Sequence, residues 1–351
     1  MPQFTAHENT AYLRGMGKPR SILFVQTAFI GDAILATAMI ESWHAAHPKD
    51  HLHLVVRSGN KSLFQGHPFL SGLHVWEKSK NHFARYRNLV ALGLELRGIG
   101  FDVLVTPHRH ASSGILALLS GAQTCSGFSS HPMSWLFAHS EEHGWGNGEH
   151  EIERNHRLLS PWVESEVPRN PKLYPADNVG VSEAEGEFGI AAPASQWATK
   201  KWPLDRWIAW LDAEAIQSPD RRIVLIGGPA DAEELREIAR QSSHDRLEIR
   251  TDLSLLESAG WMKAARWVVT NDSGPMHMAS AVNAPTVAIF CSTVPSFGFG
   301  PLSSLSVVVE KKEELVCRPC GMHGKSSCPL GHFQCGTGIA VDQVLAAVAR
   351  I

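Results

Sequence analysis

Short apolar runs alternate with longer stretches of helical spacing along most of this chain. Residues 21–26 read as a buried strand, 32–47 as the helix behind it, stopped by Pro48, and 52–56 as the next strand. The rhythm continues with a helix over 85–97, a strand over 101–106 and a helix over 114–119. A stretch rich in proline and turn residues, 161–181, then interrupts it. A second series begins near Phe188, with strands at 222–226, 267–270 and 286–290 and amphipathic helices at 231–241 and 342–350. Alternating strands and helices predict an α/β fold with parallel sheets covered on both faces. The 351 residues and the internal break predict two domains. Their extents are 21–170 and 171–335, after a flexible segment over 1–20 and before a last segment, 336–351.

Composition narrows the function. Apolar residues make up 44% of the chain and charged residues 19%, which suits ordinary cores. A formal net charge of −3 argues against nucleic acid as a partner. The first twenty residues lack a signal-peptide core, and no window approaches the roughly 18 apolar residues of a membrane span. The expected location is cytoplasmic, at most peripheral to a membrane. Eleven tryptophans suggest aromatic surfaces that meet sugars, lipids or a domain interface. The nineteen histidines are scattered and read mostly as surface residues. Six cysteines in a reducing compartment point to metal or plain packing before disulfides.

Four constellations carry chemistry. In Thr270-Asn271-Asp272-Ser273-Gly274-Pro275-Met276-His277 a strand ends in polar residues and opens a helix. Free amides and the helix dipole make that junction an anion seat suited to a diphosphate. The turn Thr27-Ala28-Phe29-Ile30-Gly31-Asp32 sets Asp32 at a helix start, as a general base or as an ordinary cap, with Gly31 allowing close approach. A helix start lowers a carboxylate pKa, so such a base would need help from the substrate. Ser195, Thr199 and the pair Lys200-Lys201 form a polar loop between tryptophans, suited to phosphate or simply solvated. The fourth constellation, Cys317-x2-Cys320-x7-Cys328-x6-Cys335, has the ligand count of a structural zinc or iron knuckle, with His332 as another ligand and packed thiols as the plain alternative. Arg57, Lys61, Lys78, Lys80, Arg85 and Arg87 concentrate positive charge in the first half, for an anionic acceptor or as solvated side chains.

The blocks Ile22-Leu23-Phe24-Val25 with Phe29-Ile30-Gly31-Asp32, Thr199-Lys200-Lys201-Trp202-Pro203, and Asn271 to Ala279 together resemble glycosyltransferase family 9, the bacterial heptosyltransferases of lipopolysaccharide core assembly. His150-Glu151-Ile152-Glu153-Arg154-Asn155 resembles a linking motif of that family, and the cysteine-rich tail resembles its second-heptose branch. The resemblance implies a GT-B architecture: two Rossmann-like domains facing across a cleft, the first for the acceptor, the second for the nucleotide sugar. The final helix would pack back toward the first domain. It implies an inverting transfer that needs no metal, with Asp32 as base. Ser195, Thr199, Lys200, Asp272, Ser273, Gly274 and His277 would hold the donor. Thr27, Gly31, Arg57 and Arg109 become acceptor-side candidates. The implied partners are ADP-heptose and a lipid-linked or oligosaccharide core acceptor, with peripheral contact at the inner membrane. The chain departs from the family at Gln26-Thr27-Ala28-Phe29, which replaces an Arg-x-Ser-x approach, and at Cys291-Ser292-Thr293-Val294, where Gly-Pro-Thr/Ser is typical. The alternatives are a transferase of the same fold with another sugar or acceptor, including a protein hydroxyl, and a catalytically silent nucleotide-sugar-binding protein.

Overall fold

The computed structural model describes residues 18–177 and 187–351. Most of the segment expected to be flexible (1–20) and the end of the expected linker (178–181) lie outside the described residues. Six strands form the first sheet: β1 (Ser21–Val25), β2 (His51–Arg57), β3 (Leu70–Trp76), β4 (Val103–Thr106), β5 (Thr124–Phe128) and β6 (His139–Glu141). Six more form the second: β7 (Phe188–Ala192), β8 (Arg222–Ile226), β9 (Leu247–Arg250), β10 (Trp267–Asn271), β11 (Thr286–Phe290) and β12 (Ser306–Glu310). The orders are β3-β2-β1-β4-β5-β6 and β12-β11-β10-β7-β8-β9. Counted from its own first strand, each sheet has the doubly wound order 3-2-1-4-5-6, parallel throughout. Strand order reverses between β1 and β4 and between β7 and β10. Ligands of such sheets bind in the crevice at the carboxyl ends of those strands.

The helices are α1 (Ile30–Ala46), α2 (His82–Arg97), α3 (Ala111–Ser120), α4 (Glu151–Arg157), α5 (Leu204–Gln217), α6 (Ala232–Gln241), α7 (Leu255–Ala264), α8 (Gly274–Ala281), α9 (Gln334–Thr337) and α10 (Val341–Val348). Helix α1 is buried from Ala33 to Trp43 because it packs against both α4 and α8 of the second lobe. One apolar core consequently runs through both lobes, joining Ile34, Trp43 and Leu54 to Val224, Trp261 and Met278. Tyr174 adds a tie by donating to Glu41 Oε1 at 2.8 Å.

Two expectations are corrected here. The tryptophans are chiefly core, not surface: Trp43, Trp202, Trp207, Trp210, Trp261 and Trp267 are fully buried. Trp202, Trp207, Trp210 and Trp267 form an edge-to-face series, a favoured arrangement of aromatic rings. Helix α10 does not return to the first domain. Its Val344, Leu345 and Val348 join the tryptophan cluster, and it packs on α5, β11 and β12 of the second.

Candidate active site

A pocket of about 210 Å³ lies where the two sets of strand ends meet. The first lobe contributes Phe29, Gly31 and Asp32 from the turn after β1. The second contributes Ser195 and Lys200 after β7, Asp272 to Gly274 and His277 after β10, and Thr293 after β11. These are the loops that doubly wound topology assigns to ligand.

Close packing fixes the junction. A Cβ on Gly31 would stand 2.7 Å from His277 Cδ2, so glycine lets the histidine ring of one lobe lie on the backbone of the other. Gly274 faces Ile30 in the same seam. Asn271 ties the second lobe's side of the pocket together: its Oδ1 accepts from the Trp202 amide and its Nδ2 donates to the Pro193 carbonyl. The loop carrying Lys200 is thereby anchored between β7 and β10.

Electrostatics separate the roles of the acidic groups. Asp32 is pushed up to about 6, by burial first and by the negative charge of Glu151 second. The backbone of the helix start and Lys200 pull the other way and lose. The expectation that the helix start would set a low pKa is thus reversed. A carboxylate near 6 is well matched to taking a proton at neutral pH. Asp272 is different: its Oδ2 accepts from Lys200 Nζ at 2.7 Å and from Thr293 Oγ1 at 2.6 Å. It aims the lysine; as an anion it is unsuited to touch a diphosphate itself. His277 is lowered to about 4 by burial, and its Nδ1 has no partner among the described residues. It is therefore neutral at pH 7.

The remaining candidates divide. Ser195 lines the pocket. Ser273 Oγ donates to the Ala194 carbonyl and starts α8 without capping it through its side chain. Thr199 is removed from the donor set: its Oγ1 accepts from the Lys325 amide and from Ser292 Oγ, away from the pocket. Lys201 also turns away, to Glu234. Thr27 is buried against His108 Nδ1 at 3.0 Å. Arg57 stacks over Phe29 with its guanidinium carbon 4.8 Å from the ring, and Arg109 over Trp145 at 5.3 Å. Both arginines feel the charge of Asp32.

Sequence reasoning missed a clasp across the lobes. Arg154 is fully buried and donates to Glu151 Oε2, to the Glu149 carbonyl and to the Phe297 carbonyl. The Glu151 amide donates to the Gly298 carbonyl at 2.8 Å, and His143 Nε2 lies 3.0 Å from Glu151 Oε2. Phe297 and Phe299 of the clasped loop line the pocket. The motif over 150–155 was the signal for this, but its partner loop lies 143 positions away.

The four cysteines of the tail and His332 open onto a second pocket of about 290 Å³. All four cysteines are free thiols. Backbone amides near Phe333 lower the Cys328 thiol, and burial pushes Cys335 up to about 11. Cys317 Sγ is 3.9 Å from His332 Nε2. Among the described residues no three His, Cys, Asp or Glu side chains converge closely enough to hold a metal ion.

Known proteins share this plan. Residues 89–327 match Glycosyltransferase family 9 (heptosyltransferase). The chain is 22% identical over 288 residues to lipopolysaccharide heptosyltransferase 1 of Pseudomonas aeruginosa, spanning 79% of this chain and 80% of that protein. A glycosyl transferase family 9 structure from Veillonella parvula aligns with a TM-score of 0.81 at 20% identity, over 94% of this chain and 96% of that one. The ADP-heptose lipopolysaccharide heptosyltransferase II of E. coli aligns with a TM-score of 0.75 at 19% identity, over 94% and 97%. With two doubly wound lobes of GT-B type and a family match over more than half its length, the chain belongs to glycosyltransferase family 9 and is a glycosyltransferase.

Proposed function

We propose that the protein transfers heptose from ADP-heptose to a lipopolysaccharide inner-core acceptor, with inversion, at the cytoplasmic face of the inner membrane. The observation that carries this reading is the single pocket in which Asp32 of one lobe faces Lys200, Gly274 and His277 of the other. In it Asp32 takes the proton of an acceptor hydroxyl, whose oxygen attacks the anomeric carbon. The carbon–oxygen bond to the diphosphate breaks, and the leaving group carries the new negative charge. Lys200, held by Asp272, and the free amides opening α8 stabilise that charge. Arg57 and Arg109 meet an anionic acceptor from the first lobe. Phe297 and Phe299 help keep water from the anomeric carbon.

The test is mass spectrometry of products after incubation with ADP-heptose and inner-core acceptors, with protein acceptors in parallel. A heptosylated core oligosaccharide is expected. ADP-heptose binding with no product on any acceptor would instead leave a silent binding protein. Structural zinc or iron at Cys317, Cys320, Cys328 and Cys335 is proposed only with a rearrangement that draws the thiols together, since they do not converge as they stand; four cysteine ligands would leave no open position for catalysis. Near-equimolar metal in freshly purified protein supports this, and its absence on elemental analysis ends it.

A further inference from the structure

Helix α2 is apolar on two sides. Leu89, Leu92 and Leu96 are buried beside Val25, Val55 and Leu104 in the core of the first sheet. The opposite side has no partner among the described residues and carries Phe83, Tyr86, Val90 and Leu94, exposed by 78, 57, 42 and 56%. Their spacing of three, four and four residues places all four side chains on one stripe of the helix. Large apolar groups in a continuous exposed row mark an interaction surface.

Charge selects the partner. Between Lys78 and Arg97 the chain carries Lys78, Lys80, Arg85, Arg87 and Arg97 against the one acidic residue Glu95, within a protein whose net charge is −3. Lys78, Lys80, Arg85, Arg87 and Arg97 have no ion-pair partner among the described residues, whereas Glu95 lies 3.8 Å from His74. The Lys78 ammonium feels both Arg85 and Arg57, so positive charge continues from the helix start toward the pocket. A folded protein partner would need matched acidic pockets. An anionic bilayer needs only apolar side chains to enter the boundary between headgroups and acyl chains, with cations level with the lipid phosphates.

We propose that the exposed face of α2 is a membrane-docking surface that seats the first lobe on anionic phospholipid. Phe83, Tyr86, Val90 and Leu94 enter the interface, and Lys80 and Arg87 contact headgroup phosphates. Docking there would present the cleft around Arg57 and Asp32 to an acceptor carried by the same bilayer. Vesicle binding is independent of the transferase reading.

The experiment is co-sedimentation of the full chain with vesicles of phosphatidylglycerol and phosphatidylethanolamine, or of neutral phosphatidylcholine. The wild type is expected to partition at least about tenfold more strongly onto the anionic vesicles, with the difference shrinking as salt rises. The triple variant Phe83→Ser, Tyr86→Ser, Leu94→Ser should lose about tenfold or more of that binding, and Lys80→Glu with Arg87→Glu should abolish the preference for anionic lipid. Thermal melts establish that each variant is folded, and the single changes Phe83→Ser and Leu94→Ser should each give a partial loss. Wild-type protein remaining in the supernatant, or variants binding as tightly as wild type, would overturn the proposal. So would a wild-type dimer that ignores vesicles and is split by the triple variant, since the stripe would then be covered by a second copy.

Discussion

Asp32 shows how much a site owes to its neighbours. A carboxylate at a helix start should be acidic, yet burial and the Glu151 charge leave this one near 6. As the proposed base it must be ionised, so kcat/KM should rise with pH through an apparent pKa of about 6 and level off above it. Glu151→Gln removes a negative charge from beside it and should move that limb to lower pH, while Asp32→Asn should cost on the order of 10²–10⁴ in kcat. An unchanged limb in Glu151→Gln would sink the coupling; full turnover in Asp32→Asn would sink the base. Phe29 carries a second residue-scale prediction. It occupies the N-cap of α1 without a side-chain cap bond, where serine or aspartate would add about 1 kcal/mol. Its ring instead stands 51% exposed at the pocket, backed by Arg57. Phe29→Ser should keep or raise stability in urea and raise the acceptor KM about tenfold with little change for the donor. An unaltered acceptor KM would mark the ring as incidental.

At the scale of elements, the clasp between α4 and the loop after β11 makes a sharp comparison of two glycines. Gly298 has a φ of +90°, and a Cβ there would stand 2.2 Å from the Glu149 carbonyl and 2.7 Å from an Arg154 nitrogen. Gly300, two positions on, has open space around it. Gly298→Ala should lose about 3 kcal/mol and weaken donor binding through Phe297, while Gly300→Ala should stay within about 0.5 kcal/mol in urea unfolding. Equal effects of the two changes would show that the clasp carries little strain. Only one half of this clasp, the motif over 150–155, showed in the sequence, because Arg154 and Phe297 are distant in the chain. What was readable lay in local pattern: β8 and β11 are bounded apolar runs, and the strand–polar–helix junction at Asn271 to His277 announces its own chemistry. The edge strands β3, β6, β9 and β12 escaped because they mix polar and apolar residues on half-exposed backbones. Helix α10 was legible as a helix, but amphipathic spacing says nothing of which sheet receives its apolar face. Ile339, just before it, accepts from Trp202 Nε1 and holds that end on the second lobe.

The whole molecule joins two sheets of one topology through a shared core and a pocket of mixed polar and apolar lining, and the fold wholly or partly buries histidines that the sequence suggested were exposed. His53, His67 and His277 are lowered to about 4 and His108 to about 3, with burial the largest cause for each. An unfolded chain binds protons at these groups below pH 6.5, while the folded chain refuses them until about pH 4. Their contribution to stability is therefore complete above pH 6.5 and is lost as pH falls toward 4. Asp32 acts in the opposite sense, because its folded pKa lies above the ordinary 3.8, so folding takes up a proton there between pH 6 and 3.8. Glu41, also raised by burial, acts in the same sense as Asp32; the two do not offset four histidines, although half-buried His53 counts for less than the others because solvent screens it. For His277, fully enclosed between the lobes, a shift from 6.5 to about 4 corresponds to about 3 kcal/mol. Urea unfolding at steps from pH 7 to pH 4.5 should show a monotonic fall in stability, with a shallower slope in His277→Asn, which takes up no proton. A flat profile, or an identical slope in the variant, would mean that the seam between the lobes opens and admits water before the histidine is charged.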